Sequence, residues 1–232
     1  MQKTDAKKMM VEGPLFKNIL LFSIPLIFSQ VLQVLFNMAD VAVVGKFSGD
    51  IPLGAVSSTS TLVVLLTGFL IGLGSGINVK IAQYYGAKKE EDVKQTVSTS
   101  FIISVVAGFI ILIATFFFGR FFLEVLKTDE KLIDKATLYL KIYAFGMPAL
   151  GIFNFGNGVL SATGDTKRPL VYLTIAGVLN IGLNFFFVLV FKMDVDGVSL
   201  ASIISQYVSA ALVIIRMIKI KTCYKLDFKD FV

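Results

Sequence analysis

Six apolar stretches, near residues 15–44, 53–83, 96–118, 137–162, 170–191 and 198–219, each approach the ~20 residues that a helix needs to cross a bilayer. Nothing else in the chain constrains its fold so tightly. The connectors between them are short and polar: KFSGDIP (46–52), GAKKEEDVKQ (86–95), KTDEKLIDKA (127–136), GDTKRP (164–169) and KMDVDG (192–197). The pattern predicts an all-α membrane protein of six transmembrane helices. Residues 1–14 form an N-terminal segment, 15–219 the six-span body, and 220–232 a linker or tail. The first stretch lacks the short apolar core and small-residue cleavage site of a signal peptide, so it counts as a span. The first two are long enough to imply tilt, kinks or helix continuing beyond the lipid. Pro25 in the first and Pro148 in the fourth each remove a backbone donor, and each is expected to bend its helix. FFFGRFFLEVL (116–126), broken by Arg120 and Glu124, reads as the third span running into an interfacial helix.

Composition agrees. The chain is 56% hydrophobic and 16% charged, against about 45–50% and 25% in soluble domains. A net charge of +6 raises nucleic acid as a partner, but the Lys and Arg fall between apolar runs without interleaved aromatics, which excludes it. They fix orientation instead: with the N-terminus inside, about fifteen of the 22 Lys and Arg lie on the inner side. Both termini are then cytoplasmic and the chain sits in the plasma membrane. Cys223 is the one cysteine and there is no histidine, which removes internal disulfides, the commonest general base and the commonest metal ligand. No P-loop, Ser/His/Asp set or metal-ligand spacing appears. The chain reads as a non-enzyme without a resident cofactor.

The polar residues inside the spans carry the function. Asp40 stands in NMADVAVVG, about 10 Å below the outer end of its helix, where a carboxylate costs about 2.5–3.5 kcal/mol on insertion scales. It is either an ion or proton site facing a cavity or a helix-end aspartate solvated by a water-filled opening; ionisable residues inside membranes usually mark transport pathways, which favours the first. Gln33 and Asn37 fall about two turns and one turn below it on a similar face, so that face lines a cavity. Asn180 and Asn184 share one face of the fifth span at i,i+4. Their carbonyl oxygens suit a hard cation neutralised by a nearby carboxylate, and equally suit hydrogen bonds between helices. Ser202, Ser205 and Gln206 follow in the sixth span, where hydroxyls mostly pack and back-bond. Gly68, Gly72 and Gly76 form a smooth ridge on the second span for close helix approach. Phe116–Phe118 and Phe185–Phe187 read as lipid-facing or core packing. Asp165 is placed to cap the fifth helix, with Gly164 ending the fourth and Pro169 in the first turn of the fifth.

The N-terminal EGPLFKNILLFSIPLIFSQVLQVLFNMADVAVVGKFSG, AQYYGAKKEEDV after the second span and LSATGDTKRP after the fourth together resemble the multidrug and toxic compound extrusion (MATE) family of secondary transporters. The resemblance implies one six-span lobe of a twelve-helix transporter that exports organic, often cationic, compounds in exchange for Na+ or H+. It covers the N-terminal lobe and ends in what resembles the interlobe linker, KTCYKLDFKDFV. It places the first-span acidic position of the cation site on Asp40, the paired polar positions of the fifth span on Asn180 and Asn184, a hydroxyl position on Ser202, and the kink proline on Pro25. Asn184 stands where some prokaryotic members carry a second aspartate, which removes one charge. The implied partners are a small organic cation, membrane lipid, and a C-terminal lobe or second copy to complete the cavity; no metal other than Na+ at Asp40 is implied. Two alternatives remain: a lipid-linked oligosaccharide flippase of the same superfamily, for which Lys80 and Lys141 are the only cavity cations on offer, and a non-transporting fragment or assembly subunit.

Overall fold

The computed structural model describes residues 15–220 and 222–226; the segment 1–14 and the end of the tail, 227–232, lie outside the described residues. Among the described residues seven helices follow one another: α1 (Leu15–Phe47), α2 (Asp50–Gly86), α3 (Glu90–Val125), α4 (Glu130–Ala144), α5 (Met147–Ala162), α6 (Lys167–Phe185) continued by a π-helical turn over Phe186–Val190, and α7 (Val195–Lys219). Among the described residues there is no strand. α1, α2, α3, α6 with its π turn, and α7 are each long and apolar enough to cross a membrane, and α4 with α5 forms a sixth crossing bent by 49°.

The helices outgrow the expected spans because they continue into the polar connectors. KTDEKLIDKA is not a loop from end to end: the Asp129 carboxylate accepts the Lys131 N–H at 2.8 Å and caps α4, which starts at Glu130. The first turns of α4 are amphipathic, with Ile133 and Ala136 buried and Lys131 and Asp134 exposed. Arg120 in α3 pairs with both Glu124 and Asp134 (3.1 and 2.7 Å), and α3 runs through 116–125 without a break.

α1 passes through Pro25 as one helix, with the Ser29 hydroxyl donating to the Pro25 carbonyl at 2.9 Å. The fourth span is bent as expected, by 49°, though the break lies just ahead of Pro148 and not at it. It falls at Phe145–Gly146, and Pro148 occupies the first turn of α5, where its missing N–H is no loss. Tyr207 Oη donates to the Phe145 carbonyl at 3.1 Å. The side-chain oxygen of Gln206 lies 1.9 Å from where a Cβ on residue 146 would stand, so the Gln206 side chain fills the space beside Gly146.

Asp165 does not cap α6 either. Its carboxylate pairs with Arg168, and Thr166 holds the cap position without a side-chain bond. Gly164 ends α5 as expected: at φ 90°, it donates to Ser161 O while Asp165 N–H donates to Leu160 O, the paired bonds of a Schellman end. Beyond α7 the described part of the tail turns back under the bundle. Leu226 is buried beside Ile81, Val97 and Val159, its N–H donates to Met217 O, and Tyr224 sets its ring on Tyr85.

α5 is the hub, packed on α2, α3 and α7, while α1 lies at the rim and packs chiefly on α6. Small residues let backbones touch at the hub. A Cβ on Gly158 would stand 2.5 Å from Gly74 O, one on Gly108 2.6 Å from Pro148 Cα, and one on Gly151 2.7 Å from Ser104 O. The ridge expected from Gly68, Gly72 and Gly76 does no such packing in this chain. Nothing lies within 4 Å of a Cβ at any of the three; Gly74, on the opposite side of α2, makes the close approach.

Candidate functional site

Asp40 lies in α1 two turns before the helix ends, and it is 3% exposed. Burying a carboxylate at this depth requires its lone pairs to be satisfied, and both oxygens are. Asn184 Nδ2 donates to Oδ1 at 2.6 Å and the Ser202 hydroxyl donates to Oδ2 at 2.8 Å. Asn180, one turn below Asn184 on α6, closes the ring: its Nδ2 donates to Ser202 Oγ at 3.3 Å and its Oδ1 accepts from Asn184 Nδ2 at 3.4 Å. Three spans, α1, α6 and α7, therefore meet at one carboxylate. Among the described residues no Lys or Arg forms an ion pair with it.

The network carries one conspicuous deficit. Asn184 is 0% exposed, and its side-chain oxygen has no hydrogen-bond partner. An unsatisfied buried amide oxygen costs about 1–3 kcal/mol, and a cation or donated proton would answer it. Immediately after Asn184 and Phe185 the helix widens into its π turn, a geometry that recurs at functional sites.

Asp40 opens on a cavity of about 100 Å³. Gln33, Phe36 and Asn37 line it from α1, Thr67 from α2, Tyr143 from α4, Leu150 and Phe153 from α5, Leu173, Ala176, Gly177 and Asn180 from α6, and Ser202, Ser205, Gln206 and Ser209 from α7. Asp40, Asn180, Ser202, Gln33 and Asn37 are thus brought together, while Asn184 stands behind Asp40, outside the lining. Pro25 and Pro148 are not among the lining residues. The polar wall is built of amides and hydroxyls: Ser205 back-bonds to Ala201 O at 2.8 Å, and no Lys or Arg is part of it. Lys80 lies over the Tyr84 ring and Lys141 over the Phe116 ring, both away from the cavity.

Sequence reasoning missed Tyr143, which stacks on Tyr139 with ring centroids 5.7 Å apart, and the aromatic walls Phe36 and Phe153. Tyr139 and Tyr143 stand at i,i+4 in the fourth span, the same spacing that marked the Asn pair. Phe36 and Phe153 give no signal among 22 phenylalanines.

A bundle of six apolar crossings that buries one carboxylate among neutral donors, beside a cavity of mixed polar and apolar lining too small for a drug-sized ligand, has the architecture of one lobe of a membrane transporter. The MatE family model matches residues 25–186, and the chain belongs to the multidrug and toxic compound extrusion family. It is 32% identical over 219 residues to the probable multidrug resistance protein YpnP of Bacillus subtilis strain 168, covering 90% of this chain and 47% of that protein. The probable multidrug resistance protein NorM of Thermotoga maritima is 28% identical over 203 residues, covering 84% of this chain and 43% of that protein. Among solved structures, a crystal structure of MATE in the bent conformation superposes with a TM-score of 0.92 at 24% identity, over 100% of this chain and 51% of that one. The chain spans about half the length of the relatives it matches.

Proposed function

We propose that the chain is the N-terminal lobe of an antiporter that exports organic cations in exchange for Na+ or H+ taken up at Asp40. The observation that carries this reading is the Asp40 network: a buried carboxylate held only by neutral donors, next to an unpartnered amide oxygen. One negative charge calls for one monovalent cation. A proton would sit on Asp40 itself and could be shared with Asn184 Oδ1 once that amide turns. Na+ would draw on Asp40, Ser202 Oγ and the amide oxygens of Asn180 and Asn184, a set of hard oxygens. In either case at least one of the two donors, Asn184 and Ser202, must change its bond to Asp40, and the hold of α1 on α6 and α7 changes. Such a switch biases a lobe between two access states.

The cavity, about 100 Å³, is part of the ~300–1,000 Å³ that a drug-sized ligand occupies, which supports completion by a second lobe. A flippase for a pyrophosphate-linked lipid is disfavoured because no cation lines the wall. The positive-inside bias supports cytoplasmic termini and the plasma membrane.

The test is efflux of a fluorescent organic cation from an efflux-deficient host carrying the chain with a complementary second lobe. It is measured in Na+-free medium and across a range of pH. Asp40→Asn is expected to abolish ion-driven efflux while the protein stays in the membrane. Undiminished ion-driven efflux in that variant overturns the reading, and the dependence on Na+ or pH in the parent identifies the ion.

A further inference from the structure

The Asp40 network requires α1 to sit in one register against α6, yet α1 is the helix least embedded in the bundle. Ile27, Phe28, Val31, Val34, Leu35 and Met38 are all exposed, and the apolar core clusters receive α1 only near its outer end, through Val41, Val43 and Val44. What fixes its height along α6 is therefore a local matter.

Two contacts bracket the carboxylate. One turn below Asp40, the Phe36 ring stands directly on Gly177 of α6. A Cβ at residue 177 would lie 1.7, 2.0 and 2.3 Å from the ring atoms Cζ, Cε1 and Cε2. Above Asp40, Phe47 meets Phe185 edge to face, with centroids 6.1 Å apart. The pairs 36/177, 40/184 and 47/185 climb in the same order on both helices, so the two run parallel with Asp40 and Asn184 between the aromatic contacts. Phe36 is a knob, and the missing side chain of Gly177 is its hole. No other residue type at 177 leaves that hole open.

We propose that Phe36 and Gly177 are positioning residues: the ring in its notch sets the register of α1 on α6 that brings Asp40 to Asn184. Their importance to exchange rests on the reading of Asp40 as the coupling site. A methyl group at 177 forces the ring back by roughly 2 Å to reach ordinary carbon contact. Carried through to α1, a displacement of that size breaks the Asn184–Asp40 bond, which is 2.6 Å long. Removing the ring instead leaves α1 free to slide.

The test reads register and not transport. In a Cys223→Ser background, Asp40→Cys and Asn184→Cys place two thiols where the bonded side chains stand, with the polar bond itself removed. Cross-linking of the chain in lipid by a short bis-methanethiosulfonate is expected to be fast. Adding Phe36→Ala or Gly177→Ala is expected to slow it at least fivefold. Combining Phe36→Leu with Gly177→Ala, a smaller knob for a shallower hole, is expected to recover at least half of the parent rate. Cross-linking of the Phe36→Ala chain at the parent rate overturns the proposal, as does a double variant no faster than Gly177→Ala alone. Should Gly177→Ala fail to fold, Phe36→Ala decides. Failure here leaves the coupling role of Asp40 standing, and failure of the efflux test leaves the register result standing.

Discussion

α5 and α1 are both apolar crossings, yet they are held by opposite means. All but three of the 16 residues of α5 are buried, and its backbone touches its neighbours through a glycine on at least one side of each close contact. α1 shows most of its middle to the outside and is tied down by Val43 and Val44 near one end, a ring in a notch, an aromatic pair and one carboxylate. A hub packed backbone to backbone cannot shift by an ångström without clash or void. A rim helix held by a few directional contacts can move when one of them changes its charge. The difference teaches where a proton or cation has leverage: at the seam between α1 and the α6–α7 pair, not in the hub.

The comparison can be broken most severely at the hub. Gly158→Val drives a branched side chain into the Gly74 backbone, and overpacking of this kind should cost about 3 kcal/mol. Thermal unfolding of the chain in detergent, followed by size-exclusion chromatography, is expected to show a large loss of folded protein. At the seam, Asn184→Ala strips Asp40 Oδ1 of its donor and should cost about 2 kcal/mol in Na+-free buffer at neutral pH, read by the same assay. The smallest effect is expected at Gly72. It is exposed with nothing within 4 Å, so Gly72→Ala should leave this chain as stable or raise it by about 0.5–1 kcal/mol, through the helix preference of alanine over glycine. A loss there matching that of Gly158→Val would mean the ridge is packed after all, and the contrast between hub and rim would fail.

How far the sequence could be read follows the same division. Spans were legible because hydrophobicity alone marks them, and Asp40, Asn180 and Asn184 were legible because amides and carboxylates stand out in apolar runs. Ser202 came with the family resemblance, since a hydroxyl in a span carries no signal of its own. The break at Gly146 was not legible: the space where a side chain would stand is filled by Gln206, sixty residues on, which no local pattern shows. The glycine ridge was a correct rule applied to the wrong side of α2, because spacing of four says nothing about which face meets a neighbour. Helix ends were obscured where lysines occupy left-handed positions normally given to glycine, as at Lys88, Lys127 and Lys192, with φ of 58°, 56° and 54°. Phe36 could not be told from any other phenylalanine until Gly177 was seen beneath it.

The central claim, that Asp40 is the group in this lobe that takes up the coupling ion, is tested most directly by infrared difference spectroscopy of the chain in lipid. Spectra are recorded as Na+ is added at fixed pH and as pH is lowered without Na+. A carboxyl band is expected to change under at least one of these conditions, and that change to disappear in Asp40→Asn. Identical difference spectra for the parent and Asp40→Asn under both conditions would contradict it.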